Sequence, residues 1–310
     1  MIQSIPSCEI RGDGVTQAPK VQANHVYHEW LKDTLGTVDT SGDIEGDDYA
    51  YDPTDTPTRE FNITMILRQD LGVSETQRAV NPAGFKDAYA YEIQKATKRL
   101  AIKLEKVVFA ATTSATGFTA TARQMKSFQD FIVTNTAFAG AKTGTVPGTA
   151  TTDGVLDSSD FNGLLQTIYT NGGNPEQVYV SPAVKRQVSS FTVTQQNRNI
   201  AAIDKRLVSA IDFYDSDFGL IQIVLDRWVP ESTNTTTATA SATATGGQMF
   251  FLQRSINRLA WLRPMQHFLV GKRGDSVAGI VVGEVTLEVL NEKANGRMRS
   301  VNNKNTVAGT

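Results

Sequence analysis

The chain has 310 residues, 40% of them hydrophobic and 20% charged, with a formal net charge of −2. That length holds one large or two modest cores, and no run approaches the roughly 18 to 20 consecutive apolar residues of a membrane helix. A near-neutral chain is poorly suited to coating nucleic acid by neutralising phosphates. The lone cysteine, Cys8, excludes an internal disulfide and fits a reducing compartment.

Residues 1–24 have few large apolar side chains and no basic segment followed by an apolar one, so they read as an extended arm without a signal peptide. HVYHEWL and TREFNITMILRQDLGV then flank a Gly-, Pro- and Asp-rich stretch. The second flank alternates, with Phe61, Ile63, Met65 and Leu67 on one side. Two strands joined by a tip this long predict a projecting hairpin. Ser74 and Gln77 have capping-box spacing, and Asn81-Pro82 can open a helix. Phe85, Tyr89, Ile93, Ala96, Leu100, Leu104 and Val107 form one helical stripe running to about residue 111. That is roughly 40 Å at about 1.5 Å per residue.

A Thr/Ala-rich loop, 112–122, and a second, 134–153, enclose the short apolar piece MKSFQDFIV. Ser158 or Ser159 caps the next helix, whose stripe is Phe161, Leu164, Leu165, Ile168 and Tyr169, with Asn171-Gly172 ending it. QVYVSP reads as a buried strand, and Ser181-Pro182 opens a helix. Strands follow: RLVSAIDFY, GLIQIVLDRWV, QMFFLQ, RLAWLRP and VAGIVVGEVTLEVL. The loop 231–247, ESTNTTTATASATATGG, is too small-sided to build a core and is expected at the surface. The sum is an α+β chain with one over-long helix and long antiparallel strands drawn from both ends.

Charge is unevenly placed. From Asp33 to Thr58 there are eight acidic residues and no Lys or Arg, whereas Gly84 to Ala110 carries six basic and three acidic ones. After Glu292 only positive charge remains: Lys293, Arg297, Arg299 and Lys304. Such polarity suits contacts between different regions of neighbouring copies.

The catalytic inventory is empty. His25 and His28 stand three apart in a strand, on opposite faces, and cannot chelate one ion together. His267 has no partner visible in sequence. DTSG at 39–42 lacks the protease turn's spacing, and DIEGDD at 43–48 does not match a calcium loop. There is no glycine-rich phosphate loop and no nucleophile elbow. The two RGD triplets, 11–13 and 273–275, read as turns. The acceptor triplets at Asn62 and Asn234 have no secretion signal to make them useful. No catalytic, cofactor-binding or metal residue is assigned, and the chain reads as a structural or interaction protein.

In order and spacing, HEWLKDTL, TREFNITMILRQDLGVSETQ, DAYAYEIQKATKRLAIKLEKVVF, SDFGLIQIVLDRWVP, RLAWLRPMQ and GDSVAGIVVGEVTLEVLNEKANG resemble the major capsid proteins of tailed bacteriophages. The resemblance implies the Hong Kong 97-type capsid fold. Its parts would be an N-terminal arm (1–24), an extended loop (25–72), a peripheral domain (73–154) with a spine helix (82–111), an axial domain (155–247), return strands of the peripheral domain (248–291) and a basic C-terminal tail (292–310). It also implies a non-enzymatic head subunit that forms hexamers and pentamers around double-stranded DNA, without sequence-specific binding and away from membranes. Assembly would take place in the bacterial cytoplasm, with a separate scaffolding protein, a portal and a possible decoration protein. The alternatives are an encapsulin-type cellular shell and an enzyme with a dispersed site. Covalent cross-linking is not expected, because the loop's only lysine is Lys32, near its base. In such a fold the extended loop lies across a neighbour's peripheral domain. This makes Asp39, Asp43, Glu45, Asp47 and Asp48 the expected partners of Lys95, Lys98 and Lys106 on the next spine. Should charge not hold the loop, Phe61, Ile63 and Met65 are the apolar residues that would.

Overall fold

In the computed structural model, residues 18–33, 40–42, 44–46, 48, 56–80, 87–139, 156–194, 212–231, 247–272 and 274–301 are described. Strand β1 (Lys20–Gln22) is followed by a hairpin of β2 (Tyr27–Lys32) and β3 (Thr58–Ile63). After Thr64, β4 (Met65–Ser74) leads into a short helix α1 (Glu75–Ala79) and the long helix α2 (Ala88–Phe109). A ribbon of irregular chain carries α3 (Phe128–Phe131) and β5 (Thr136–Phe138). Next come α4 (Ser158–Thr170), β6 (Gln177–Val180), α5 (Pro182–Thr194), β7 (Phe213–Ser216) and β8 (Gly219–Leu225). The chain finishes with β9 (Gly247–Leu252), β10 (Asn257–Val270), β11 (Ser276–Val289) and β12 (Gly296–Val301).

These strands build two larger sheets. The first has the order β1-β10-β11-β4, so both ends of the chain meet in it, as the long late strands predict. In β4, Met65, Leu67, Leu71 and Val73 point inward, and the long helix lays Ala96, Leu100, Leu104 and Val108 over them. The buried stripe thus ends at Val108 rather than Val107, four residues after Leu104. The helix begins with Asp87, whose Oδ1 accepts from the N–H groups of Tyr89 (2.9 Å) and Ala90 (3.3 Å). Ser74 and Gln77 do form a cap at 3.3 Å, but it opens the separate helix α1, which ends where Val80 turns extended. Asn81-Pro82 and Phe85 lie outside the described residues.

The second sheet has the order β5-β12-β9-β6-β8-β7. On one face lies a core of α4 and α5 residues (Phe161, Leu165, Ile168, Val184 and Val188) against Val178, Val180, Ile223, Phe251 and Met298. Asp157, one residue before the expected serines, caps α4. The other face, with Tyr179, Val224, Phe250 and Leu252, belongs to the core beneath the long helix. Phe109, the last helical residue, makes that join, its ring centroid 5.1 Å from Phe250 and 5.3 Å from Tyr179. This explains why QMFFL is continuously apolar: β9 is buried on both faces.

Three sequence expectations shift. The strand Gly247–Leu252 lies in the second sheet, not among strands returning to the first, so sheet membership changes at the turn after Leu252. Of RLVSAIDFY, only Phe213 and Tyr214 are in a strand among the described residues. And the basic tail is not a tail at its start. Gly296–Val301 is an interior strand between β5 and β9, with Met298 and Val301 in the core. Arg297 is buried there because polar partners meet its guanidinium. It donates to Gln129 O (3.0 Å), Gln129 Oε1 (2.7 Å) and Gln248 Oε1 (3.1 Å). Burial, aided by the nearby charge of Arg299, lowers its pKa to about 10. Most of the loop 231–247 is outside the described residues. Glu231, its first, accepts from the Ala183 N–H (3.0 Å) and the Ser181 hydroxyl (2.9 Å) at the start of α5.

Arg297 therefore ties α3, β9 and β12 together. Arg297→Ala should lower stability by about 3 kcal/mol in urea unfolding, because it strands buried acceptors and opens a void. Arg297→Lys, which keeps charge but loses the fork, should fall between. A loss below about 1 kcal/mol for the alanine variant would show that the joint does not depend on the guanidinium.

Candidate assembly interface

The hairpin pairs Tyr27 with Ile63 through to Lys32 with Thr58, and this register gives it two faces. His28, Trp30, Lys32 and Asn62 face the body of the subunit. Trp30 is buried against Phe131, ring centroids 6.1 Å apart, and Lys32 lies 3.8 Å from Glu60. The opposite face carries Tyr27, Leu31 and Phe61, all exposed, with a 3.5 Å ion pair between Glu29 and Arg59 among them. Ile63 and Met65 are buried within their own chain. Of the three apolar residues expected to hold the loop to a neighbour, only Phe61 points outward.

The hairpin is clamped at its root. Asn62 is fully buried and makes four hydrogen bonds. Its Nδ2 donates to the carbonyls of Lys126 (3.1 Å) and Leu287 (2.7 Å), and its Oδ1 accepts from the N–H groups of Ile63 and Lys126 (both 2.8 Å). Alternate residues of β11 receive the rest. Glu284, only 3% exposed, accepts from Thr64 Oγ1 (2.7 Å), Arg123 Nη2 (2.6 Å) and Arg263 Nε (3.1 Å). Thr286 Oγ1 donates to the Ile63 carbonyl at 3.0 Å. Glu288 lies 2.7 Å from His28 Nε2 and 3.7 Å from Arg258. Two guanidinium groups and a hydroxyl offset the desolvation of Glu284.

The histidines thus have structural partners. His25 Nδ1 accepts from the Tyr27 N–H (3.2 Å), and His28 braces the hairpin. His267, without a visible partner in sequence, lies 2.9 Å from the Tyr89 hydroxyl on the long helix. Both sit over Gly279, where a Cβ would collide with the tyrosine oxygen and lie 2.7 Å from the histidine nitrogen. Burial raises the Tyr89 pKa against a smaller opposing effect of Arg78. Among the described residues no three His, Cys, Asp and Glu side chains gather as a metal would require. Of the second RGD, Arg273 lies outside the described residues, while Gly274, with φ +66°, and Asp275 form a bend just before β11. The Asn62 triplet is closed to modification because its side chain is interior.

The expected docking residues separate into two sets. Glu45 and Asp48 are exposed on the hairpin's distal part, while Asp39, Asp43 and Asp47 lie outside the described residues. On the long helix Lys98 is exposed. Lys95 is half-buried, pairs with Glu92 and lies 4.5 Å over the Tyr91 ring. Lys106 is exposed along its stem, with its ammonium 4.4 Å over the Trp228 ring.

A clamped projecting hairpin, a long helix across one sheet and a second sheet flanked by helices form the architecture that the sequence resemblance implied. The family model described as SU10 major capsid protein matches residues 13–302. The chain belongs to that major capsid protein family. No curated protein matches it in sequence at a significant level. Among solved structures it is similar to the holo-SrpI encapsulin complex from Synechococcus elongatus, with TM-score 0.59, 8% identity, and 93% of this chain and 86% of that one covered. It is also similar to a Mycobacterium phage Bobi chain (TM-score 0.56, 12% identity, 91% and 88% covered). A third likeness is to the capsid of an empty GTA particle (TM-score 0.56, 13% identity, 97% and 92% covered). At these identities the likenesses establish the Hong Kong 97-type fold alone. The family establishes the role: a structural subunit of a phage head shell that self-assembles into capsomers and resides in the virion capsid.

Asn62, Glu284 and Tyr89 were not assigned by sequence reasoning. The available signal was a polar residue interrupting an apolar run, as Glu284 does within VAGIVVGEVTLEV. Asn62→Asp removes both amide donors and buries a charge facing two carbonyls. It should destabilise the isolated capsid subunit by about 3 to 4 kcal/mol in urea unfolding, and Asn62→Ser should be less severe. A near-neutral aspartate variant would mean that the root relaxes and admits water.

Proposed function

We propose that the capsid subunit assembles by laying its acidic hairpin on the long helix of the next copy, in hexamers and pentamers that enclose a double-stranded DNA genome. One observation carries this reading. The hairpin that bears the uninterrupted acidic stretch is fixed at its root, while its outward face leaves Tyr27, Leu31 and Phe61 uncovered within the chain. A uniformly acidic stretch repels itself and gains nothing from its length unless it meets opposite charge. The long helix supplies that charge through Lys95, Lys98 and Lys106, of which Lys98 and Lys106 are exposed. Each exposed pair contributes only about 0.2 to 1 kcal/mol. Repetition in every subunit, and rejection of wrong neighbours by like charge, make the sum matter.

In this reading the subunit is not an enzyme. Shell formation in the host bacterial cytoplasm draws on a separate scaffolding protein and a portal, and a decoration protein is a possible addition to the outer surface. DNA is held by enclosure rather than by base recognition. A second reading, a cellular shell that encloses protein cargo, is favoured by the encapsulin likeness in fold. Electron microscopy of the purified shells separates the two. Heads with a tail portal support the first, and small closed shells filled with protein support the second.

Charge reversal tests the docking. Lys95→Glu with Lys98→Glu should reduce assembly several-fold at low salt, and Glu45→Lys with Asp48→Lys in the same chain should restore part of it. Wild-type assembly should weaken as salt rises past about 0.15 M. Unchanged assembly of the first double variant at both low and high salt would mean that the outward apolar face alone holds the hairpin.

A further inference from the structure

The most exposed large hydrophobic side chain among the described residues is neither on the hairpin nor on the long helix. It is Phe118, 88% exposed, at the tip of a ribbon that follows the long helix. No charged residue occurs between Lys106 and Arg123, so the whole tip is neutral in a chain where a fifth of the residues are charged.

The ribbon holds Phe118 out rather than letting it fold back. Ala115 and Gln124 exchange two backbone hydrogen bonds, both 3.0 Å, and Phe118 and Thr121 exchange two more at 2.9 and 3.1 Å. Gly117 enters the turn at φ +77°, where a Cβ would meet Arg123 Cγ at 2.6 Å. Below the tip, Arg123 is bound to Glu284, the Lys126 N–H to Asn62, and the Ser127 N–H to the Thr112 carbonyl at 3.1 Å. The same two residues that clamp the hairpin therefore clamp this ribbon. A rigid, desolvation-ready aromatic on a neutral tip has its ordering cost met before association, which is how interface anchors gain affinity.

We propose that the 112–127 ribbon is a second subunit contact, in which Phe118 of one copy enters an apolar recess on a second copy of this chain. The occupant is another copy for three reasons. The subunit works in a shell built from its own repeats, so its neighbours are itself. The neutral tip has no charge with which to select a polar or nucleic-acid partner. And the chain offers apolar acceptor surface of its own: Phe213 and Leu220 share one face at the β7–β8 edge, exposed 60% and 62%, and Phe268, Leu269 and Val270 stand exposed near the end of β10. The contact rests on the shell role but not on hairpin docking, and the two differ in their response to salt. Charge docking weakens as salt rises, whereas an apolar anchor does not.

The test uses shells assembled from the purified full chain. With p-benzoylphenylalanine in place of Phe118, irradiation should give a covalent species of two chains in assembled shells and none in dissociated subunits at equal concentration. Phe118→Asp should leave the melting temperature of the isolated subunit unchanged, because the side chain is exposed, yet lower shell yield at least tenfold at both low and high salt. Phe118→Leu should recover most of that yield. Cross-links confined to one chain, cross-links found only to another head protein, or wild-type yield from Phe118→Asp would each overturn the proposal.

Discussion

A buried carboxylate, Glu284, fixes where the projecting parts of this subunit point. It lies on an interior strand and takes hydrogen bonds from a strand end, Thr64, from a loop, Arg123, and from a neighbouring strand, Arg263. An ionised carboxylate in that position is tolerable only while its partners stay in place. Each partner is therefore held by the others' presence, and the hairpin root cannot shift without uncovering a charge. Asn62 adds a neutral lock beside it, in which both ends of the amide bond to main chain. Polar groups decide direction here, while apolar burial decides that the chain folds at all.

The two sheets are joined by a different device. Phe109 and Arg297 both meet the Phe250 ring of β9, one as a ring with its centroid 5.1 Å away and the other as a cation at 6.0 Å. Because β9 is buried on both faces, the helix-covered sheet and the larger mixed sheet share a continuous interior.

Much of this was legible in the sequence. The helical stripe from Tyr89 to Leu104, the alternation through β4, and the caps near Ser74 and Asn171 all report local periodicity or local hydrogen bonding. Charge counting misled at Arg297, since a basic side chain surrounded by glutamine oxygens can be interior, and sequence does not show which oxygens will arrive. The root of the hairpin was out of reach for the same reason. Asn62 and Glu284 are 222 residues apart, and only the pairing of β11 with β4 brings their neighbourhoods together. His267 looked solitary because its partner, Tyr89, comes from a helix 178 residues earlier. Long-range polar pairing leaves no periodic trace, whereas apolar faces do.

The hairpin strands β2 and β3 pair only with each other among the described residues. Mechanically, this makes the hairpin a beam of two strands keyed into the body twice, by Asn62 at its root and by Trp30 along its inner face. Two strands alone resist bending weakly, so the keyed side chains rather than the ladder hold its angle. Any load on these strands passes to Trp30, Asn62 and Glu284, so the strength of the joint is set inside the subunit rather than at the surface where the tiles touch.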